Sequence, residues 1–124
     1  MASAMSSPGK RVLLVDDNED ARELLAGLLE LQGYRVEAAG DAAGALAIAE
    51  RFQPEVVVLD LGLPEVDGWE LARRLRAVAG LAQARIVALT GYGTELDRER
   101  SREAGIDVHL LKPIEISQLT KAFS

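Results

Sequence analysis

Four short apolar runs in this chain each end in a residue able to carry metal or phosphate chemistry, and that regularity leaves few folds open. Val12-Leu13-Leu14-Val15 runs into Asp16 and Asp17, and Val56-Val57-Val58-Leu59 runs into Asp60. The run from Ile86 to Leu89 ends at Thr90, and that from Val108 to Leu111 ends at Lys112-Pro113. Runs of this length alternate with segments of helical period, the pattern of a parallel sheet with helices on both faces. In such a sheet the strand C-termini share one edge, so Asp16, Asp17, Asp60, Thr90 and Lys112 are expected to converge there. Three carboxylates, a hydroxyl and an ammonium at one rim suggest Mg²⁺ binding and phosphoryl transfer.

Five strand–helix repeats are expected. The first strand, about Arg11 to Val15, leads to a helix capped by Asn18, with Ala21, Leu24, Leu25, Leu28 and Leu29 on its inward stripe and Gly33 at its C-terminal end. The second strand, Arg35 to Ala39, alternates polar and apolar and so reads as an edge strand. Asp41 caps the next helix, whose inner face carries Ala42, Ala45, Leu46, Ala49 and Phe52, and Pro54 ends it. After Asp60, Asp67-Gly68 turns into a helix with Leu71, Ala72, Leu75 and Val78 inward. The segment from Thr94 to Gly105 has only Leu96 and Ala104 among charged residues, so its helix is expected to be the least firmly docked. Ile116, Leu119 and Phe123 mark a short last helix.

Size and composition remove several function classes. A chain of 124 residues fits one domain, and its net charge of -6 gives no basic footprint for nucleic acid. Without cysteine there is no disulfide, thiolate metal site or cysteine nucleophile. No apolar stretch approaches the ~20 residues that span a membrane. Residues 1–9 are small and polar, unlike a secretory signal, and read as a flexible leader or cloning remnant ahead of a domain over residues 10–124.

Adjacent carboxylates repel, and a divalent cation explains why Asp16 and Asp17 stand together with a third acid nearby. Asp17 and Asp60 are the expected direct ligands, Asp16 acts through water, and the Gly62 carbonyl supplies another oxygen. Taken alone, the acidic pair would equally suit a helix start, where the dipole favours negative charge. Asp60 stands at the mouth of a core strand, which suits a carboxylate nucleophile forming an acyl phosphate; an isolated Asp before Gly and Pro would rather be a turn residue. Thr90 before Gly91 leaves its hydroxyl accessible, although a threonine there also suits a cap. Lys112 before Pro113 is biased toward extended backbone, with a cis peptide bond an option, and can reach across the rim to a phosphate. Most lysines, by contrast, are simply solvated.

With those residues in view, the chain resembles a response regulator receiver domain, the phosphoacceptor module of two-component signalling, from about Arg11 to Phe123. The resemblance rests on the acidic pair, the V-V-V-L-D-L-G-L-P-E-V-D-G segment around Asp60, the Thr90-Gly91 pair and L-L-K-P ending at Pro113. It implies a flavodoxin-like (βα)5 fold with sheet order 2-1-3-4-5. It further implies that a sensor histidine kinase or histidine phosphotransfer protein phosphorylates Asp60, that Asp16, Asp17, Asp60 and Gly62 hold Mg²⁺, and that Lys112 contacts the phosphoryl group. Thr90 would be the switch hydroxyl. The implied output is a downstream protein target, met by the face of the Thr94–Gly105 helix, the fifth strand and the last helix, with a phosphorylation-dependent homodimer as a further option. A cytoplasmic signalling domain rather than a conventional enzyme is implied, one that assists its own phosphorylation and dephosphorylation.

His109 departs from the family pattern, which has Tyr or Phe three residues before the lysine; it either acts as the switch ring or is a strand residue with no such role. Gly62 and Tyr92 occupy positions that in the family flank the route of the hydrolytic water. A haloacid-dehalogenase-like phosphatase needs a second Asp where Gly62 stands, and the acids after the first strand would repel a flavin phosphate. A receiver-like interaction module that signals without phosphorylation is the remaining alternative, against which the intact acidic, Thr and Lys positions argue. Whether the domain is free-standing or part of a longer regulator or hybrid kinase stays open.

Overall fold

A computed structural model describes residues 9–61, 68–91, 99–100 and 102–123. Its five strands are β1 (Arg11–Val15), β2 (Arg35–Ala39), β3 (Val56–Asp60), β4 (Arg85–Thr90) and β5 (Val108–Leu111). All neighbours pair in parallel, in the order β2-β1-β3-β4-β5. The helices bounded among the described residues are α1 (Glu19–Leu31), α2 (Ala42–Phe52), α3 (Gly68–Arg76) and α4 (Ile116–Ala122). This is the doubly wound flavodoxin-like fold of the expected strand order.

The sheet divides the core in two. Alternation sends Leu13, Val15, Val57, Leu59, Ile86 and Ala88 to the side covered by α2 and α3. Val12, Leu14, Val56, Val58, Val87 and Leu89 face the side covered by α1 and α4. Because β3 is central and covered on both faces, all five of its residues are buried, including the terminal Asp60. β2 lies at an edge, as its alternation predicts, and is mostly half-buried or exposed.

Helix ends follow the sequence signals. Asn18 accepts a hydrogen bond from the Ala21 N–H and Asp41 accepts from the Gly44 N–H, each fixing an N-terminus. Gly33 takes φ +100° just past α1, a left-handed turn that suits glycine. The face of α1 needs correction. Only Leu29 of the expected stripe is fully buried and Leu25 is half-buried, whereas Ala21, Leu24 and Leu28 are exposed. Five apolar residues form a stripe wider than the sheet can cover, so its outer half stays in solvent. In α2, Ala42, Ala45 and Ala49 carry the burial while Leu46 and Phe52 are only partly covered.

The leader expectation for residues 1–8, Gly62, Asp67, Tyr92, Leu96 and the rest of 92–98 lie outside the described residues. Within the expected Thr94–Gly105 helix, Glu99, Arg100, Arg102 and Glu103 are helical and exposed, and Ala104 is buried. No described helix is long and apolar enough to cross a membrane.

Candidate functional site

The strand ends converge as the alternation requires. β1 delivers Asp16 and Asp17, β3 delivers Asp60, and the carboxylate oxygens of the three lie within 4.8 Å of one another. From beyond β5, the Lys112 ammonium donates to Asp60 Oδ2 at 2.9 Å. The ladder past the strands sets this reach: the Lys112 N–H donates to the Thr90 carbonyl at 2.8 Å, and the Lys112–Pro113 peptide is cis. Asp16, Asp60 and Thr90 are 8%, 7% and 8% exposed, while Asp17 faces solvent. The site is therefore a recessed floor of two acids and a hydroxyl, with one acid and one ammonium at its lip.

Electrostatics of the cluster are unfavourable without a cation. Burial pushes the Asp16 carboxyl above its ordinary value, and the nearby Asp60 and Asp17 carboxylates push the same way. The Asn18 N–H, which donates to Asp16 Oδ1 at 2.9 Å, and the Lys112 charge act in the opposite direction without cancelling it. Three convergent hard oxygen donors around a recess fit a hard divalent cation, which would neutralise this repulsion.

Thr90 and His109 share a face of the sheet. Val87, Leu89, Val108 and Leu110 pack on the α1 side, so alternation turns Thr90 and His109 toward the α3 side. His109 is half-buried there, beside Ala88 in register. Gly62, expected to offer a carbonyl ligand, lies outside the described residues.

Two participants had no sequence signal. Arg22 of α1 donates from Nη1 to the Asp16 carbonyl at 2.8 Å, and the exposed Leu24 and Leu28 line an apolar groove of about 520 Å³ that continues into the site at Asp16 and Lys112. Both depend on where α1 lies against the sheet edge.

The model of the response regulator receiver domain matches residues 12–124. The chain belongs to the response regulator receiver domain family. Similar curated receiver proteins include the polar-differentiation response regulator DivK of Brucella anthropi, 32% identical over 107 residues covering 86% of this chain and 87% of that one. Among solved structures, the receiver domain of a sensor histidine kinase from Pseudomonas aeruginosa, with a magnesium ion coordinated in its active-site cleft, matches with a TM-score of 0.82 and 32% identity, covering 93% of this chain and 94% of that one. A Burkholderia pseudomallei response regulator with a phosphorylated aspartic acid, calcium ion and citrate matches with a TM-score of 0.86 and 32% identity, over 93% of this receiver and 66% of that chain. This receiver domain is thus a two-component signalling module, and related receivers carry a divalent cation or an aspartyl phosphate.

Proposed function

We propose that this receiver accepts a phosphoryl group on Asp60 from a phosphohistidine of a sensor histidine kinase or histidine phosphotransfer protein. The observation that carries the reading is the Lys112 ammonium 2.9 Å from Asp60 Oδ2 beside the convergent Asp16 and Asp17 carboxylates. A carboxylate oxygen of Asp60 attacks phosphorus, the phosphorus–nitrogen bond breaks, and the imidazole nitrogen keeps the electron pair. Asp16, Asp17, Asp60 and the Gly62 carbonyl would hold Mg²⁺, which neutralises charge spread over the phosphoryl oxygens. Lys112 does the same from the lip. Its ammonium exchanges a carboxylate oxygen for a phosphoryl oxygen without moving far.

Thr90, and His109 on the same face, then shift toward the new phosphoryl oxygens. The face built from the segment 94–105, expected to be helical, with β5 and α4 changes with them and meets the downstream protein. The shift is a change of population whose size depends on how much better one state holds the phosphoryl group. The thin apolar content of 94–105 supports its role as the movable part. A kinase partner implies a cytoplasmic setting, with residues 10–124 as the working domain.

The groove beside the site supports a protein phosphodonor. Leu24, Leu28, Pro113 and Ile114 offer apolar surface continuous with Asp16 and Lys112, so a donor covering Asp60 would cover these residues too. Intact mass after exposure to a small phosphodonor tests the core step. The chain should gain one phosphoryl group with Mg²⁺, and neither the chelated sample nor Asp60→Asn should gain it. Equal labelling of Asp60→Asn would overturn the proposal.

A further inference from the structure

We infer that Arg22 is a positioning residue for the cation site, acting through the backbone of Asp16 rather than through charge. The inference rests on the reading that the Asp16, Asp17 and Asp60 cluster binds a divalent cation.

β1 ends at Val15, and Asp16 is the first residue without a strand on both sides. Its N–H still finds the Ala39 carbonyl at 3.1 Å, one step beyond the β1–β2 pairing. Its carbonyl has left the regular ladder, and a main-chain oxygen at a buried residue needs a donor. Arg22, on the second turn of α1, supplies one: Nη1 donates to the Asp16 oxygen at 2.8 Å. With Asn18 N–H on Asp16 Oδ1, three hydrogen bonds from three segments fix this residue. Asp17 is attached to the same peptide, so the Arg22 bond sets the direction in which both carboxylates leave the strand.

Space for the guanidinium comes from Gly40 at the end of β2. A Cβ there would lie 2.7 Å from Arg22 Nη1, closer than contact allows, while the obstructed atom is the free end of a long side chain. A methyl at position 40 therefore forces the guanidinium to shift from this position, a move the flexible side chain can make without disturbing the backbone. Arg22 and Gly40 work as a pair: one supplies the donor, the other the room for it.

The sign of the effect separates positioning from electrostatics. Removing a positive charge near a cation site should tighten Mg²⁺ binding if charge were the role of Arg22. Loss of a group that orients a ligand should weaken it, typically 10–100-fold. We expect Arg22→Ala to bind Mg²⁺ at least about tenfold more weakly than the unaltered chain. Gly40→Ala, which keeps the charge, should weaken it similarly, and the double variant should be no weaker than Arg22→Ala alone.

The measurement is a Mg²⁺ titration by isothermal calorimetry on the full chain, well below the melting temperature of every variant, with chemical denaturation run in chelator alongside. A structural role alone would lower denaturation midpoints and leave the Mg²⁺ affinity of the folded fraction unchanged. Wild-type or tighter Mg²⁺ binding by Arg22→Ala, or additive losses in the double variant, would overturn the inference. Failure of the unaltered chain to bind Mg²⁺ would instead remove the cation reading on which it rests.

Discussion

Asp16 carries the electrostatic tension of the site. Burial, with two acids beside it, raises its pKa above the ordinary 3.8, so folding favours the protonated form. Its contribution to stability is therefore complete below 3.8 and is lost as pH rises through the higher folded value. In chelator, Asp16→Asn should be more stable than the parent at neutral pH, and the gap should close below 3.8, since the amide oxygen still accepts from Asn18. Urea denaturation across pH checks this; a gap that is constant or widens toward acid contradicts it. Lys112 works the other way. Lys112→Ala strips an ammonium from a nearly buried carboxylate, and because the lysine side chain is 42% exposed the loss should be about 1–2 kcal/mol in chelator. Which acids meet was legible in the sequence, because a strand-end position is fixed by the apolar run before it. Arg22 was not legible, since its partner carbonyl and the room at Gly40 exist only once β2 lies beside β1.

At the scale of elements, α1 shows what pattern can and cannot tell. Asn18 and Gly33 mark its ends by local chemistry, and both ends lie where those residues place them. Its face is another matter. Leu24, Leu25, Leu28, Leu29 and Leu31 spread over nearly half the helix circumference, and only the position of the sheet decides which of them are covered. Leu29 is buried, whereas Leu24 and Leu31 are 67% and 83% exposed. Leu29→Ala should cost about 2–5 kcal/mol, and Leu24→Ala less than about 0.5 kcal/mol. Thermal or urea unfolding of the two variants compares them directly; equal losses would mean that α1 is rotated from this placement. The alternation of β2 named its edge position for a simpler reason, because one exposed face demands polar residues at every second place.

For the whole molecule, the doubly wound topology lets residues up to 96 positions apart in sequence, Asp16 and Lys112, border one recess. A cation held there binds only the folded chain and so stabilises it by mass action. At a hundred times its dissociation constant, Mg²⁺ should add about 2.7 kcal/mol, and Asp17→Asn should lose most of that gain. Denaturation with and without Mg²⁺ measures it; a gain unaffected by Asp17→Asn places the cation elsewhere. The order of the sheet was legible through family resemblance, while residues 92–98, which include the start of the expected Thr94–Gly105 helix, lie outside the described residues.

If Asp60 is the phosphate carrier, borohydride trapping should mark it. Reduction of an aspartyl phosphate gives homoserine, which peptide sequencing by tandem mass spectrometry locates. After treatment with a small phosphodonor and Mg²⁺, homoserine should appear at position 60 and should vanish when the metal is chelated. Homoserine at position 16 or 17, or none anywhere despite bound Mg²⁺, would mean that Asp60 is not the phosphate carrier.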